Sequence, residues 1–224
     1  MAAGVLIVWT DVPADIEADF NDWYNREHLP DRVLRMPGFL RGRRYVASNS
    51  IAGAPKYLTF YDLQSTAVMM SEAHTTLRQQ RPERDRLFVP QFRNTIKGIC
   101  DVVCQAGVGN GGHLVLLPVV AEVGREQDFA QGVCRDLLLQ LAVAPGIATV
   151  VFASRNVEIT QASSAKDDRA GDRYLESLIA VEATSEAGVA AAMEQLGQQN
   201  LARAGGKPHL MGTPCVLRLM YTLQ

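Results

Sequence analysis

Hydrophobic and polar positions follow two periods along this chain, and the switches between them mark its elements. Residues 4–12, Gly-Val-Leu-Ile-Val-Trp-Thr-Asp-Val, form a short β-branched run bounded by turn residues, which predicts a buried strand. From Asp15 to about Leu29, Ile16, Phe20 and Trp23 recur at helical spacing. A helix is expected there, with Pro30 ending it. Residues 39–47 and 56–63 read as strands, the first after a Pro37-Gly38 turn and the second after an Ala-Gly-Ala-Pro connection. Ser65 is the expected cap of a second helix reaching about Gln80, and residues 94–105 read as a fourth strand. The order is β-α-β-β-α-β.

That order recurs. Residues 4–12 resemble residues 112–120, and Met36-Pro37-Gly38-Phe39 resembles Ala144-Pro145-Gly146-Ile147, both pairs 108 positions apart. Residues 61–66 resemble residues 181–186 at a spacing of 120, so the second copy carries about a dozen extra residues. The Ser-, Asp- and Ala-rich stretch 156–172 is the expected place for them, as a flexible hairpin extension. The second copy reads as strand 112–120, helix 125–143, strands 147–157 and 173–183, helix 185–201 and strand 215–222, with 106–112 as linker. A sheet with helices on one face leaves its other face apolar and uncovered, and two such sheets can bury those faces together. The expected fold is therefore α+β: two tandem ferredoxin-like units, 1–106 and 112–224, forming one pseudo-dimeric α+β barrel whose interior is a natural ligand cavity. With both units in one chain, the protein is expected as a monomer, or as a homodimer through outer helices or sheet edges.

Composition narrows the function. The chain is 47% hydrophobic and 21% charged, an ordinary globular balance. Its formal net charge of −2 argues against a nucleic-acid binder. No apolar run is long enough for a signal h-region or a membrane span, so no membrane partner and a cytoplasmic location are expected. Cys100, Cys104, Cys134 and Cys215 form no Cys-x-x-Cys pair and read as buried thiols in a reducing compartment. Six arginines between Arg26 and Arg44 read as a solvated face, or as an anion-attracting rim. Phosphate-loop, dinucleotide and metal spacings are all missing, so no cofactor and no metal site are expected.

The segment Asp19-Phe20-Asn21-Asp22-Trp23-Tyr24-Asn25-Arg26-Glu27-His28-Leu29-Pro30, then Met36-Pro37-Gly38-Phe39 and Arg43-Arg44-Tyr45, resembles the EthD-like members of the dimeric α+β barrel superfamily. Lys56-Tyr57-Leu58 through Tyr61-Asp62-Leu63 also fits. The resemblance covers about the first hundred residues, and the second half follows by element order only. The superfamily includes cofactor-independent cyclases and lactone isomerases, monooxygenases, haem-binding enzymes and stress proteins, so the fold alone decides no chemistry. Where catalysis is assigned in similar proteins, a histidine near the barrel mouth acts as acid or base, and His28 matches that position. Relatives are mostly single units that pair as homodimers. Here the second unit lacks the motif, which leaves one site per chain.

His28 can give or take a proton near neutral pH, or cap the helix end. Tyr24, four residues earlier, is its neighbour on the helix and is the second catalytic candidate. Substrate-binding candidates are Trp23, also weighed as core, Arg44, and Tyr57 and Tyr61. Those two tyrosines share a strand face with Thr59, expected to line the barrel, while Leu58 and Phe60 face the helices. Glu27 is expected to pair with Arg43 or Arg44. His74 reads as a flank residue. The leading expectation is a cofactor-independent acid–base enzyme of isomerase, cyclase or lyase type. It would act on a small, oxygenated, partly apolar compound. The alternatives are a non-catalytic binding or stress protein, and a haem protein with His28 or His74 as axial ligand.

Overall fold

A computed structural model describes residues 2–49, 51–164, 169 and 171–224. The strands are β1 (Gly4–Asp11), β2 (Phe39–Ala47), β3 (Tyr57–Leu63), β4 (Arg93–Gly107), β5 (His113–Ala121), β6 (Ile147–Arg155), β7 (Arg173–Tyr174), β8 (Ser177–Ala183), β9 (Gly206–Pro208) and β10 (Cys215–Leu223). Eight of them close a barrel in the order β1-β3-β2-β10-β5-β8-β6-β4, with β4 returning to β1, and every junction is antiparallel. Within the first half the order is β4-β1-β3-β2, and within the second β10-β5-β8-β6, the same pattern. The halves join through β2–β10 and β4–β6, so the barrel closes inside one chain.

The barrel interior is full. All eight barrel strands contribute to one buried apolar cluster that includes Val5, Ile7, Trp9, Leu58, Phe60 and Leu217. An eight-stranded barrel encloses little more than its own side chains. The expected central ligand cavity is therefore not there, and the expected strand faces are reversed. Leu58 and Phe60 point into the barrel, while Tyr57 and Tyr61 join the cluster beneath the helices of the first half. The face of β3 that carries Leu58 and Phe60 fills the barrel, with Asp62 at its end pairing Arg43. The face carrying hydroxyls goes where helix side chains supply partners.

The first helix does not stop at Pro30. It runs as Glu17–Trp23, a π-helical turn Tyr24–His28, and Leu29–Val33. A proline inside an α-helix clashes with the carbonyl four residues earlier and lacks the N–H to bond it. The wider π turn immediately before Pro30 loosens that register, so the helix continues. Gly42 lets it settle on β2, since a Cβ there would lie 2.7 Å from Leu29 Cδ1. A second π turn, Val133–Leu137, lies in the second half 109 positions on. This sets Leu137, rather than Asp136, opposite His28. There the space over the sheet is filled by Phe129, Val133, Leu137 and Phe152.

Other expectations shift as well. Ser71, not Ser65, caps the helix Glu72–Gln79, accepting from the His74 N–H at 3.2 Å, and Thr66–Met70 forms a 3-10 turn before it. A further helix, Glu83–Phe88, fills a stretch that has no clear period in the sequence. The expected hairpin extension holds a helix, Val157–Ser164, whose start is capped by Asn156 Oδ1 accepting from the Ile159 N–H at 2.9 Å. Residues 165–168 and 170 of that stretch lie outside the described residues. Strand β4 runs through Ala106 and Gly107, which were expected in the linker.

The cysteines also differ from expectation. Cys104 on β4 and Cys134 on the second π turn form a disulfide, with Cα atoms 5.9 Å apart. Sequence spacing brings forward local pairs such as Cys100 and Cys104, whereas this pair is made by a helix lying across a strand. A disulfide does not support the reading of four thiols in a reducing compartment. Cys100 and Cys215 are buried thiols as expected, and burial pushes Cys215 up to about 12. Among the described residues no helix is long and apolar enough to cross a membrane.

Candidate functional site

The outer face of the first-half sheet and the helices above it enclose a cavity of about 180 Å³. Leu6 and Val8 of β1, Tyr61 of β3 and Ile99 of β4 floor it. Tyr24, His28 and Arg32 of the first helix wall one side, with Asp85 and Phe92 beside them. Met69, His74 and Leu77 close another side, and Arg78, Arg81, Lys97 and Arg169 give it a basic rim. The helix period and the π turn together place Tyr24 and His28 on one wall, their ring centroids 4.5 Å apart.

His28 is buried and leans on a carboxylate that its own segment does not contain. Its Nδ1 lies 3.1 Å from Asp85 Oδ1. The same oxygen accepts from Trp23 Nε1 at 3.2 Å, and Oδ2 accepts from Arg32 at 3.0 Å. Arg32 also donates to the His28 carbonyl at 3.0 Å, so helix and carboxylate are clamped together. An ionised carboxylate only accepts, so Nδ1 carries the proton and Nε2 keeps its lone pair. Burial, and then the Arg32 charge, push the His28 pKa down to about 3, against the pull of Asp85. The hydrogen bond from His28 and the ion pair with Arg32 hold Asp85 well below the usual carboxylate range although burial opposes them. The pair at neutral pH is thus a carboxylate facing a neutral imidazole.

Two phenols complete the site. Tyr24 is 1% and Tyr61 2% exposed, and neither hydroxyl meets a partner at full hydrogen-bond geometry among the described residues. Burial, with the neighbouring Tyr24 phenol, holds Tyr61 well above its ordinary pKa, so it stays protonated as a donor. Unsatisfied buried hydroxyls are uncommon in native proteins, and these two stand available to an acceptor in the cavity.

The remaining candidates sit behind this wall. Trp23 is fully buried, stacked on Phe88 at 4.9 Å and 4.5 Å from the His28 ring, where it supports the histidine. Tyr57 donates to Glu17 Oε1 at 2.7 Å, and Arg44 is held by Asn21 and Asn25. None of the three lines the cavity. Glu27 pairs with Arg84 at 2.5 Å instead of with Arg43 or Arg44, because the π turn rotates it outward. Arg43 turns inward over Phe60 and is held by Asp62 and Glu182, one carboxylate from each half. The six arginines thus divide: Arg43 and Arg44 are buried, while Arg26 and Arg35 pair with Asp22 and Asp31 at the surface. His74, expected as a flank residue, lines the cavity with its Nδ1 2.8 Å from the Met69 carbonyl. Asp85 was not a sequence candidate. Its only sequence signal is an acid in the first turn of a short helix after Pro82.

A closed eight-stranded antiparallel barrel with helices outside and a pocket between sheet and helices is the dimeric α+β barrel fold. No family model and no curated protein matches the sequence. Solved structures do. An anthrone oxidase-like protein superposes with a TM-score of 0.61 at 12% identity, over 100% of this chain and 95% of that one. A Fusobacterium nucleatum protein provisionally described as a monooxygenase gives 0.58 at 11% identity, over 99% and 94%. A haem-binding protein of Thermus thermophilus gives 0.54 at 11% identity, over 98% and 92%. At these identities the likeness is one of fold, not of branch or reaction.

Haem does not fit this cavity. About 180 Å³ is below the roughly 300–1,000 Å³ that drug-sized ligands occupy, and a porphyrin is larger than most of those. The basic rim cannot make up for a floor that short of room.

Proposed function

We propose that this protein is a cofactor-independent acid–base enzyme acting on a small oxygenated ring compound, such as a lactone, a polyketide-like fragment or an aromatic ketone. One observation carries the reading: an Asp85–His28 pair and two unpaired phenols, Tyr24 and Tyr61, face the same small cavity. His28 Nε2 takes a proton from the carbon next to a carbonyl, and Asp85 holds the Nδ1–H and faces the imidazolium that forms. Tyr24 and Tyr61 donate to the oxygen on which the enolate charge develops. Proton transfer creates imidazolium and enolate together, so the cavity gains no net charge. The burial that weakens His28 as an isolated base is then offset by its new neighbour.

The EthD-like reading of the motif is part of the same proposal, supported by Tyr24 and His28 both reaching the cavity. So is the duplication into units 1–106 and 112–224, supported by the shared strand order and the two π turns. The test needs no knowledge of the full reaction. A panel of small cyclic and aromatic ketones is incubated with the protein in heavy water, and loss of the α-proton signal is followed by NMR. The wild type is expected to exchange at least one compound, and His28→Gln to exchange it roughly 10²–10⁴-fold more slowly. If compounds bind and none exchanges, the enzyme reading falls and a non-catalytic binding protein takes its place.

A further inference from the structure

Arg44 is 1% exposed, and no carboxylate among the described residues pairs with it. One amino group donates to Asn25 Oδ1 at 2.7 Å and, at 3.3 Å, to the Asn21 carbonyl. The other donates to Asn21 Oδ1 at 2.8 Å, and Nε finds no acceptor. Arg43, its neighbour on β2, shows the contrast, since two carboxylates hold it. A buried charge that meets only neutral groups costs several kcal/mol unless something negative comes close. Burial lowers the Arg44 pKa accordingly, but a guanidinium remains charged at any working pH.

The uncompensated charge has a direction. The guanidinium carbon lies 4.3 Å from the Tyr24 ring centroid, 5.3 Å from Phe20 and 5.9 Å from Tyr57. Tyr24 in turn carries its unpaired hydroxyl at the cavity, beside that of Tyr61. The cation therefore touches the ring of a residue that lines the cavity. A cation on a phenol's ring draws electron density from its O–H and makes it a stronger donor.

Other charges near the cavity have ionic partners, with Lys97 and Arg169 sharing one carboxylate. Arg32 meets Asp85, Lys97 and Arg169 meet Asp172, and Glu17 behind Tyr57 meets Lys56 at 2.5 Å. His28 is neutral, and Arg78 and Arg81 add to the positive side of the rim.

We propose that the cavity takes its ligand as an oxyanion, a phenolate or a stabilised enolate, and that Arg44 supplies the countercharge through Tyr24 as a positioning residue. This rests on the cavity being the ligand site, and it names the ionic form of the ligand. It does not depend on His28 moving a proton.

Para-nitrophenol is the probe, because its absorbance distinguishes phenol from phenolate while bound. Titrated with saturating wild-type protein, it is expected to ionise at least about one pH unit lower than in the same buffer alone. That shift means the phenolate binds about tenfold more tightly than the phenol. Asn25→Asp places a carboxylate on the Arg44 guanidinium while keeping Arg44, and the new ion pair should hold or raise the melting temperature. In this variant most of the shift is expected to disappear. Arg44→Lys, which keeps a charge but not the planar fork, should retain part of it.

A bound probe that ionises at or above its free value overturns the proposal. So does failure of the phenolate to bind, or a full shift persisting in folded Asn25→Asp. A purely structural Arg44 predicts that last result. Carbon-proton exchange without the shift would sink this inference and leave His28 as a base, and the shift without exchange would do the reverse.

Discussion

Replacing Asp85 by Asn keeps the shape of the side chain and removes its charge, which makes it the sharpest test of the site. Asp85 is 1% exposed and accepts from three groups: His28 Nδ1, Trp23 Nε1 and Arg32. Hydrogen bonds to a charged group are each worth about 1.5–3 kcal/mol, and an amide can replace at most part of the set. The substitution also leaves Arg32, 17% exposed at its side chain, without its carboxylate. Losing one partner of a buried ion pair costs about 3–5 kcal/mol. For a chain of this length, each kcal/mol lowers the melting temperature by about 2–4 °C, so a drop of roughly 10 °C is expected. Urea and thermal unfolding at neutral pH, followed by circular dichroism, give both values. Carbon-proton exchange should fall roughly 10²–10⁴-fold, because the amide no longer fixes the Nδ1–H tautomer of His28 or steadies its imidazolium. A stability loss below about 1 kcal/mol, or unchanged exchange, would show that the carboxylate neither holds the helices together nor orients the histidine.

Other outcomes follow from the same geometry. His28 has a folded pKa below its unfolded one, so the unfolded chain takes up the proton first. Its stabilisation is complete above about pH 6.5 and is lost as pH falls toward 3, with a slope of up to about 1.4 kcal/mol per unit. His28→Gln should flatten the stability curve over that window, whereas Asp85, also depressed, acts only below the ordinary carboxylate range. Since His28 is already neutral near pH 5, the exchange rate should show no acid limb near 6.5, and a midpoint there would contradict the buried neutral imidazole. Tyr61→Phe removes a buried hydroxyl that has no partner, so the free protein should gain about 1 kcal/mol while ligand binding weakens. A loss of stability would mean that the hydroxyl is already satisfied. Reducing the Cys104–Cys134 bridge, which spans 30 residues, should cost about 3.5 kcal/mol, read as a melting shift matched by Cys134→Ser.

The sequence alone determined the order of the eight barrel strands, and Tyr24 and His28 as neighbours on a helix. These are local properties, set by periodicity and by spacing within one element. Tertiary structure decided which face of β3 looks inward. Alternation separates Leu58 and Phe60 from Tyr57 and Tyr61, but only closure of eight strands into a filled interior says which pair belongs there. It also put the candidate cavity beneath the helices rather than at the barrel's centre. Asp85, 57 residues from His28, could not be read as its partner, because a short helix without a clear period brings it there. The same holds for Cys104 with Cys134. Arg44 was visible as a candidate, but its lack of a countercharge was not. Charge balance in a core depends on what folding places beside a residue, and no spacing along the chain carries that information.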